Sequence, residues 1–95
     1  MENNYLLNGF TELQKKIMPT MADCFYRYRC REGVYTNELI CELMERHGLG
    51  PREWQGSLVG LGKKDYITYG NGWHSSDGAI FWLQKSLDFF NAWFK

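Results

Sequence analysis

The feature that most constrains the fold is a glycine turn between two amphipathic helical segments. The first segment is predicted to begin at Thr36, whose hydroxyl is expected to accept a hydrogen bond from a backbone N–H of the first turn. It ends at Gly48, which suits the left-handed conformation that closes a helix. Pro51 suits the first position of the next helix, because its missing N–H costs nothing there. The turn is therefore limited to residues 48–50, which is typical of a helix-turn-helix.

Both segments have the periodicity of amphipathic helices. The apolar stripe of the first helix is Leu39, Ile40, Leu43 and Met44. The second helix runs from Pro51 to about Gly62, and its apolar face is Trp54, Leu58 and Leu61. Its other face is Arg52, Gln55, Gly56, Val59, Gly60 and Lys63. Each glycine costs up to ~1 kcal/mol in a helix interior, so a close approach by another surface is expected to offset it. That surface is a phosphate backbone, a neighbouring helix or a partner protein.

After residues 63–65 the apolar period changes from that of a helix to that of a strand. Residues 66–69 and 79–83 are rich in aromatic and β-branched side chains, which favours two strands. The loop at 70–78 contains Asn-Gly and Asp-Gly, two common turn pairs. With a short strand at Val34 before the first helix, the predicted order is strand, helix, turn, helix and a hairpin with a long tip.

The second helix and first hairpin strand carry a recurring family pattern. Its pieces are Trp54-Gln55-Gly56, Leu61-Gly62-Lys63-Lys64 and Asp65-Tyr66-Ile67. With the order of elements over residues 34–83, this resembles the winged-helix superfamily, especially its small bacterial and bacteriophage members. The resemblance implies an α+β, mainly helical fold: a winged helix-turn-helix with a two-stranded wing and extra N- and C-terminal helices. It also implies DNA binding with the second helix in the major groove, although many members bind protein instead.

The segments outside the motif are predicted to complete a single domain over residues 1–95. Residues 1–9 are predicted to form an arm that packs through Tyr5, Leu6 and Leu7, with a disordered terminus or an arm that crosses to a partner subunit as the alternatives. A helix follows Thr11, a plausible cap, and its apolar positions are Leu13, Ile17, Met21, Phe25 and Tyr28. Pro19 interrupts this pattern, so we expect either a bent helix or two helices.

The C-terminal segment, residues 84–95, is predicted to be an amphipathic helix with an unusual number of aromatic side chains. An apolar surface of that size favours an interface. We therefore expect a homodimer, with a monomeric core as the alternative. The predicted interface residues are Trp82, Leu87, Phe90, Trp93 and Phe94.

Composition argues against several functional classes. The 11 basic and 11 acidic residues give a net charge of zero, unlike a nonspecific nucleic-acid binder. Three cysteines without a secretory segment predict free thiols and a cytoplasmic protein, and no apolar run reaches the ~20 residues of a membrane span. No cofactor is expected. A zinc site is an alternative, but no cysteine pair has C-x-x-C spacing. Its ligands would be Cys24, Cys30, Cys41 and His47.

Catalysis is not expected, because the adjacent loop residues 74–77 cannot hold a nucleophile, base and acid in a relay. Under the DNA hypothesis, Arg52 and Gln55 read base edges of double-stranded DNA. The predicted phosphate and sugar contacts are Lys63, Lys64, Arg27, Arg29, Arg31, Asn71, His74 and Ser75. Arg27, Arg29 and Arg31 have a second interpretation, as solvated side chains paired with nearby acids.

Two features oppose DNA binding. Residues 70–78 contain no lysine or arginine, and the negative charge of Glu53 lies beside Arg52 and Gln55, the residues predicted to contact base edges. The alternative is a protein-interaction module anchored by Val59 and Trp73. By analogy with phage and mobile-element proteins, the first hypothesis gives a small transcriptional regulator. The second gives a protein that binds or inhibits a host protein.

Overall fold

The described part of the chain is mainly helical, with a small antiparallel sheet. The computed structural model describes residues 2–27, 32–70, 72–73 and 78–94. A 3₁₀ helix at Glu2–Leu7 comes first. The helices are α1 Glu12–Arg27, α2 Thr36–His47, α3 Pro51–Lys63 and α4 Gln84–Trp93. The strands are β1 Gly33–Tyr35, β2 Ile67–Tyr69 and β3 Ala79–Trp82.

Helix α1 begins with a reciprocal cap. The Gln14 N–H donates to Thr11 Oγ1 at 3.2 Å, and the Thr11 N–H donates to Gln14 Oε1 at 3.1 Å. The prediction of Thr11 as the cap is therefore confirmed. The helix continues through Pro19 without a break. The alternative of two separate helices is therefore wrong.

The connection between α2 and α3 uses the turn residues that the sequence predicts. Gly48 is left-handed at φ 65°, and its N–H donates to Met44 O at 2.9 Å. Pro51 occupies the first turn of α3 as predicted. Gly50 precedes it, and its N–H donates to Glu53 Oε1 at 3.0 Å. Two glycines and a proline thus set the helix ends.

The start of α2 differs from the prediction. Tyr35 is the residue that caps the helix, and Thr36 lies inside the first turn with no capping hydrogen bond. The Thr36 N–H donates to Gly78 O at 2.9 Å, which holds this residue against the hairpin. Its side chain is fully buried, and Oγ1 has no hydrogen-bond partner among the described residues. Met44 also departs from the predicted stripe, since it is 56% exposed while Leu43 is buried.

The sheet has the order β1-β3-β2, with both pairings antiparallel. The predicted hairpin, β2 with β3, is confirmed, and the strand before α2 pairs with β3 as a third strand. Val34 lies opposite Ile80, and both side chains are buried. In the next row Gly33 lies opposite Phe81, which is partly exposed. The sheet therefore has one face on the core and one face outward.

All four α-helices contribute to one apolar core, together with the inner face of the sheet. Phe90 of α4 is fully buried beside Trp82 of β3, with ring centroids 5.0 Å apart. The N-terminal 3₁₀ helix packs on α4, and Leu6 and Leu7 contact the core while Tyr5 is exposed. The N-terminal residues thus pack within their own chain, by way of two of the three predicted side chains.

Candidate nucleic-acid interface

Helix α3 is fixed to the core by its apolar face. Trp54, Leu58 and Leu61 are buried, as predicted. The C-terminal end is held by Tyr69 of β2, whose hydroxyl donates to Leu58 O at 2.8 Å. Burial raises the pKa of the Tyr69 phenol above its ordinary value. A side chain at Gly62 would overlap the Tyr69 ring, so this glycine permits the close contact between α3 and β2.

The opposite face of α3 is open to solvent. Arg52 and Lys63 are exposed near its two ends, and Gln55 is half-buried. Val59, near the middle, is 40% exposed. The structure therefore places three of the predicted contact residues on the outer part of one helix.

Gly56 and Gly60, the two glycines of this face, have different surroundings. A Cβ at Gly60 would lie 2.9 Å from Gln14 Nε2, because Gln14 of α1 reaches across to Ser57 O. A neighbouring helix thus explains Gly60. A Cβ at Gly56 would meet nothing within 4 Å. The helix carries the cost of Gly56 without a contact in the described chain to offset it.

The acidic residue beside this face has a structural role. Glu53 accepts the hydrogen bond from the Gly50 N–H, so its carboxylate caps the start of α3. A negative charge in the first turn is also favoured by the helix dipole. Glu53 therefore has a reason to be present that is independent of any partner.

Lys64, a predicted phosphate contact, is hydrogen-bonded to other residues of the chain. Its ammonium donates to Gln14 Oε1 at 3.0 Å and to Gly9 O at 3.2 Å. It also lies 5.4 Å from the centroid of the Phe10 ring. To contact a phosphate on the α3 face, Lys64 has to give up part of this packing.

Arg27 belongs to an ion-pair network between α1 and α2. Its guanidinium lies 2.6 Å from Glu42 Oε1, and Arg46 lies 2.8 Å from the other oxygen of Glu42. Arg46 also pairs with Asp23, and this hydrogen bond is the main cause of the raised pKa of Arg46. For Arg27, the structure thus shows the interpretation as an arginine paired with an acid. Arg29, Arg31, Asn71, His74 and Ser75 lie outside the described residues.

Trp73, the predicted anchor at the hairpin tip, packs on its own chain. It is half-buried and stacks on Tyr69 at 4.5 Å between ring centroids. It also meets the edge of Trp54, at 6.2 Å. Much of its surface is therefore used to join the hairpin to α3.

The predicted dimer residues divide into two groups. Trp82 and Phe90 are buried in the core of the chain itself, so their surface is not open to a partner. Leu87 and Trp93 are half-buried, and Phe94 is 45% exposed beside Tyr26. Within this set only the second group has surface available for self-association, and the homodimer stays a prediction.

His47 lies at the end of α2 in contact with α1. Its Nε2 is 3.3 Å from Thr20 Oγ1, and the Thr20 hydroxyl donates to Lys16 O at 2.8 Å. The tautomer with its proton on Nε2 donates to Thr20 Oγ1 in this geometry. Burial lowers the pKa of His47 below its ordinary value, and the charges of Lys16 and Arg46 add to the effect. This arrangement favours the neutral imidazole.

The zinc alternative finds no support in the described residues. Cys24 is buried and Cys41 is exposed. Among these residues no three histidine, cysteine or acidic side chains form a group that could hold a metal ion. Cys30 lies outside the described ranges.

Two polar residues that organise this side of the molecule, Gln14 and Lys85, were not predicted from the sequence. Gln14 caps α1, contacts α3 and accepts from Lys64. Its signal was present, because Thr-x-x-Gln is a capping-box pattern. Lys85 donates to Lys64 O at 3.1 Å and lies 5.4 Å from the Tyr66 ring centroid. Its signal was a lysine in the first turn of a helix, which the helix dipole disfavours.

Comparison with known proteins found no matching family model, curated protein or solved structure. Within the described ranges, each helix is too short or too polar to cross a lipid bilayer.

Proposed function

We propose that the chain is a winged-helix protein that binds double-stranded DNA, with α3 in the major groove. The order of the helices and strands supports this reading, since two helices joined by a short turn are followed by a hairpin. The pairing of β1 with the hairpin also supports it, because the sheet links the helix pair to the hairpin. By the resemblance of its sequence, the protein is a small transcriptional regulator of phage or mobile-element type.

The observation that carries the proposal is the unexplained glycine on an exposed, positively charged helix face. Gly56 leaves a gap that no described residue of the chain fills. Arg52 and Lys63 lie on the same face, toward its two ends. A glycine where another backbone approaches closely is a common use of that residue, and flanking cations favour a phosphate backbone as the approaching surface.

Each α3 residue has a distinct role in this proposal. Arg52 donates to guanine and Gln55 pairs with adenine in the groove. Lys63 contacts phosphate. On the α3 face, Lys64 and Arg27 contribute less than the sequence predicts, because Lys64 is held beside Gln14 and Arg27 is paired with Glu42.

Lys63→Ala is expected to weaken binding to every duplex sequence by about tenfold at low salt and to reduce the salt slope by ~1. The measurement is fluorescence anisotropy with mixed duplex DNA, at low and then physiological salt. Lys15→Ala is the matched control, since Lys15 pairs with Glu12 on α1. Equal loss in both variants would contradict a specific role for Lys63.

Gly56→Ala is expected to separate stability from binding. The alanine raises helix stability by up to ~1 kcal/mol, because its methyl group enters open space. The same methyl group obstructs a closely approaching DNA backbone, with an expected loss of about tenfold in affinity, or ~1.4 kcal/mol. Chemical unfolding and duplex titration on the same sample measure both effects. A stabilised variant with unchanged DNA affinity would overturn the assignment of this face.

A protein partner is the second candidate, and exposed Val59 is the observation that favours it. An apolar residue beside a glycine gap suits a protein surface, as does the net charge of zero. If wild-type protein fails to bind duplex at low salt, the α3 face becomes a candidate docking site for a host protein.

A further inference from the structure

A depression of about 350 Å³ lies where the turn before α1, the end of α3 and the start of α4 meet. Its aromatic wall is formed by Phe10 and Tyr66, whose ring centroids are 5.2 Å apart. Its charged residues are Lys63, Lys64, Lys85 and Asp65. The depression is therefore a polar site on an apolar base, and the two rings of that base pack against the core.

The charges of this depression are unbalanced. Three lysines face one carboxylate, although the whole chain has a net charge of zero. Lys85 adds to the imbalance because it lies in the first turn of α4, and that turn contains no acidic residue. The positive end of a helix disfavours a lysine at that place. A bound anion would remove this repulsion.

Two of the lysines are held in position before any ligand binds. Lys64 is fixed by Gln14 Oε1 and Gly9 O, and Lys85 by the carbonyl of Lys64. Each ammonium also lies over an aromatic ring at 5.4 Å. Binding to fixed side chains costs less conformational entropy than binding to mobile ones.

The lysines keep hydrogen-bonding capacity for a ligand. An ammonium has three N–H donors. Among the described residues Lys64 uses two of them and Lys85 uses one. Donors therefore remain, and the exposed Lys63 lines the same depression.

We propose that this depression binds a phosphate group, held by the ammonium groups of Lys63, Lys64 and Lys85. The three lysines and Asp65 sum to a charge of +2, which matches the charge of about −1.5 to −2 on a phosphate monoester at neutral pH. The volume admits more than the phosphate alone. The group belongs to a small phosphorylated molecule or to a DNA backbone. The proposal does not depend on DNA binding.

The test is a titration of the full chain with pyrophosphate, at constant ionic strength, followed by amide chemical shifts. Saturable shifts at residues around the depression are expected for the wild type. Lys85→Gln is expected to weaken binding by about tenfold, while the matched control Lys15→Gln leaves it unchanged. If Lys85→Gln does not fold because the hydrogen bond to Lys64 O is lost, Lys63→Gln replaces it, since Lys63 lines the same depression. Shifts without saturation, or equal losses in the variant and the control, would overturn the proposal.

A competition with duplex DNA identifies the source of the phosphate. Displacement of pyrophosphate by duplex assigns the site to a DNA phosphate, and simultaneous binding assigns it to a small phosphorylated molecule. Duplex binding with no saturable pyrophosphate binding would overturn this inference and leave the DNA proposal intact. Saturable pyrophosphate binding without duplex binding would support this inference and overturn the DNA proposal.

Discussion

Replacing Phe90 with alanine is expected to lower the free energy of unfolding by about 3–5 kcal/mol. The side chain is fully buried and contacts the rings of Phe25 and Trp82. Alanine removes most of its apolar surface and leaves a cavity between α1, α4 and the sheet. Equilibrium unfolding in urea, followed by tryptophan fluorescence, measures the loss.

Phe94→Ala is the matched control, at the residue that follows the same helix. Phe94 is 45% exposed and packs mainly on Tyr26, so the expected destabilisation is about 1 kcal/mol. Mass measurement of both variants also tests the predicted homodimer. If Phe94→Ala converts a dimer to a monomer while its monomer stays folded, the exposed end of α4 is the interface. A loss at Phe94 as large as that at Phe90 would contradict the burial described for this helix.

The helix ends were predictable because the residues that set them act locally. Gly48 provides a left-handed turn, Pro51 starts a helix, and Thr11 caps one with Gln14. Each needs only its near neighbours in the chain. The apolar face of α3 was predictable for the same reason, since its period lies within one helix.

The errors concern residues whose positions depend on distant parts of the chain. Thr36 looks like a cap by its type, but its hydrogen bond to Gly78 of the hairpin brings it into the core. The orientation of Trp73, which the sequence leaves open, also depends on a distant element, since its ring meets Trp54 of α3. No local pattern contains these contacts, because they form only when the hairpin packs on the helices.

The candidate interface shows the same difference between local features, which the sequence predicts, and long-range contacts, which it does not. The outward face of α3 follows from helical period, and the structure agrees for Arg52 and Lys63. The period does not reveal that Lys64 reaches across to Gln14 and Gly9, residues that are 50 and 55 positions away. It also does not bring Lys85 beside them. The basic depression was therefore beyond reach of the sequence, although each of its lysines was visible there.

Gly33→Ala is expected to destabilise the protein by about 3 kcal/mol. A Cβ at this position would overlap the carbonyl oxygen of Ile80 and the Cα of Phe81, both of them backbone atoms of β3. Because backbone cannot move aside as a side chain can, β1 has to shift away from β3. That shift weakens the strand pairing and withdraws Val34 from the core, where it is 3% exposed.

Two measurements separate this mechanism from a general effect of removing a glycine. The first compares urea unfolding with that of Gly56→Ala, where the methyl group enters open space and stability is expected to rise. The second follows hydrogen exchange at the Trp82 amide, which donates to Glu32 O at 2.8 Å just before β1. Exchange at this amide is expected to accelerate in Gly33→Ala more than at amides inside α3, because the overlap acts directly on the pairing of β1 with β3. If Gly33→Ala is as stable as the wild type, the close pairing of β1 with β3 is wrong, and the helix pair is not joined to the hairpin through this strand.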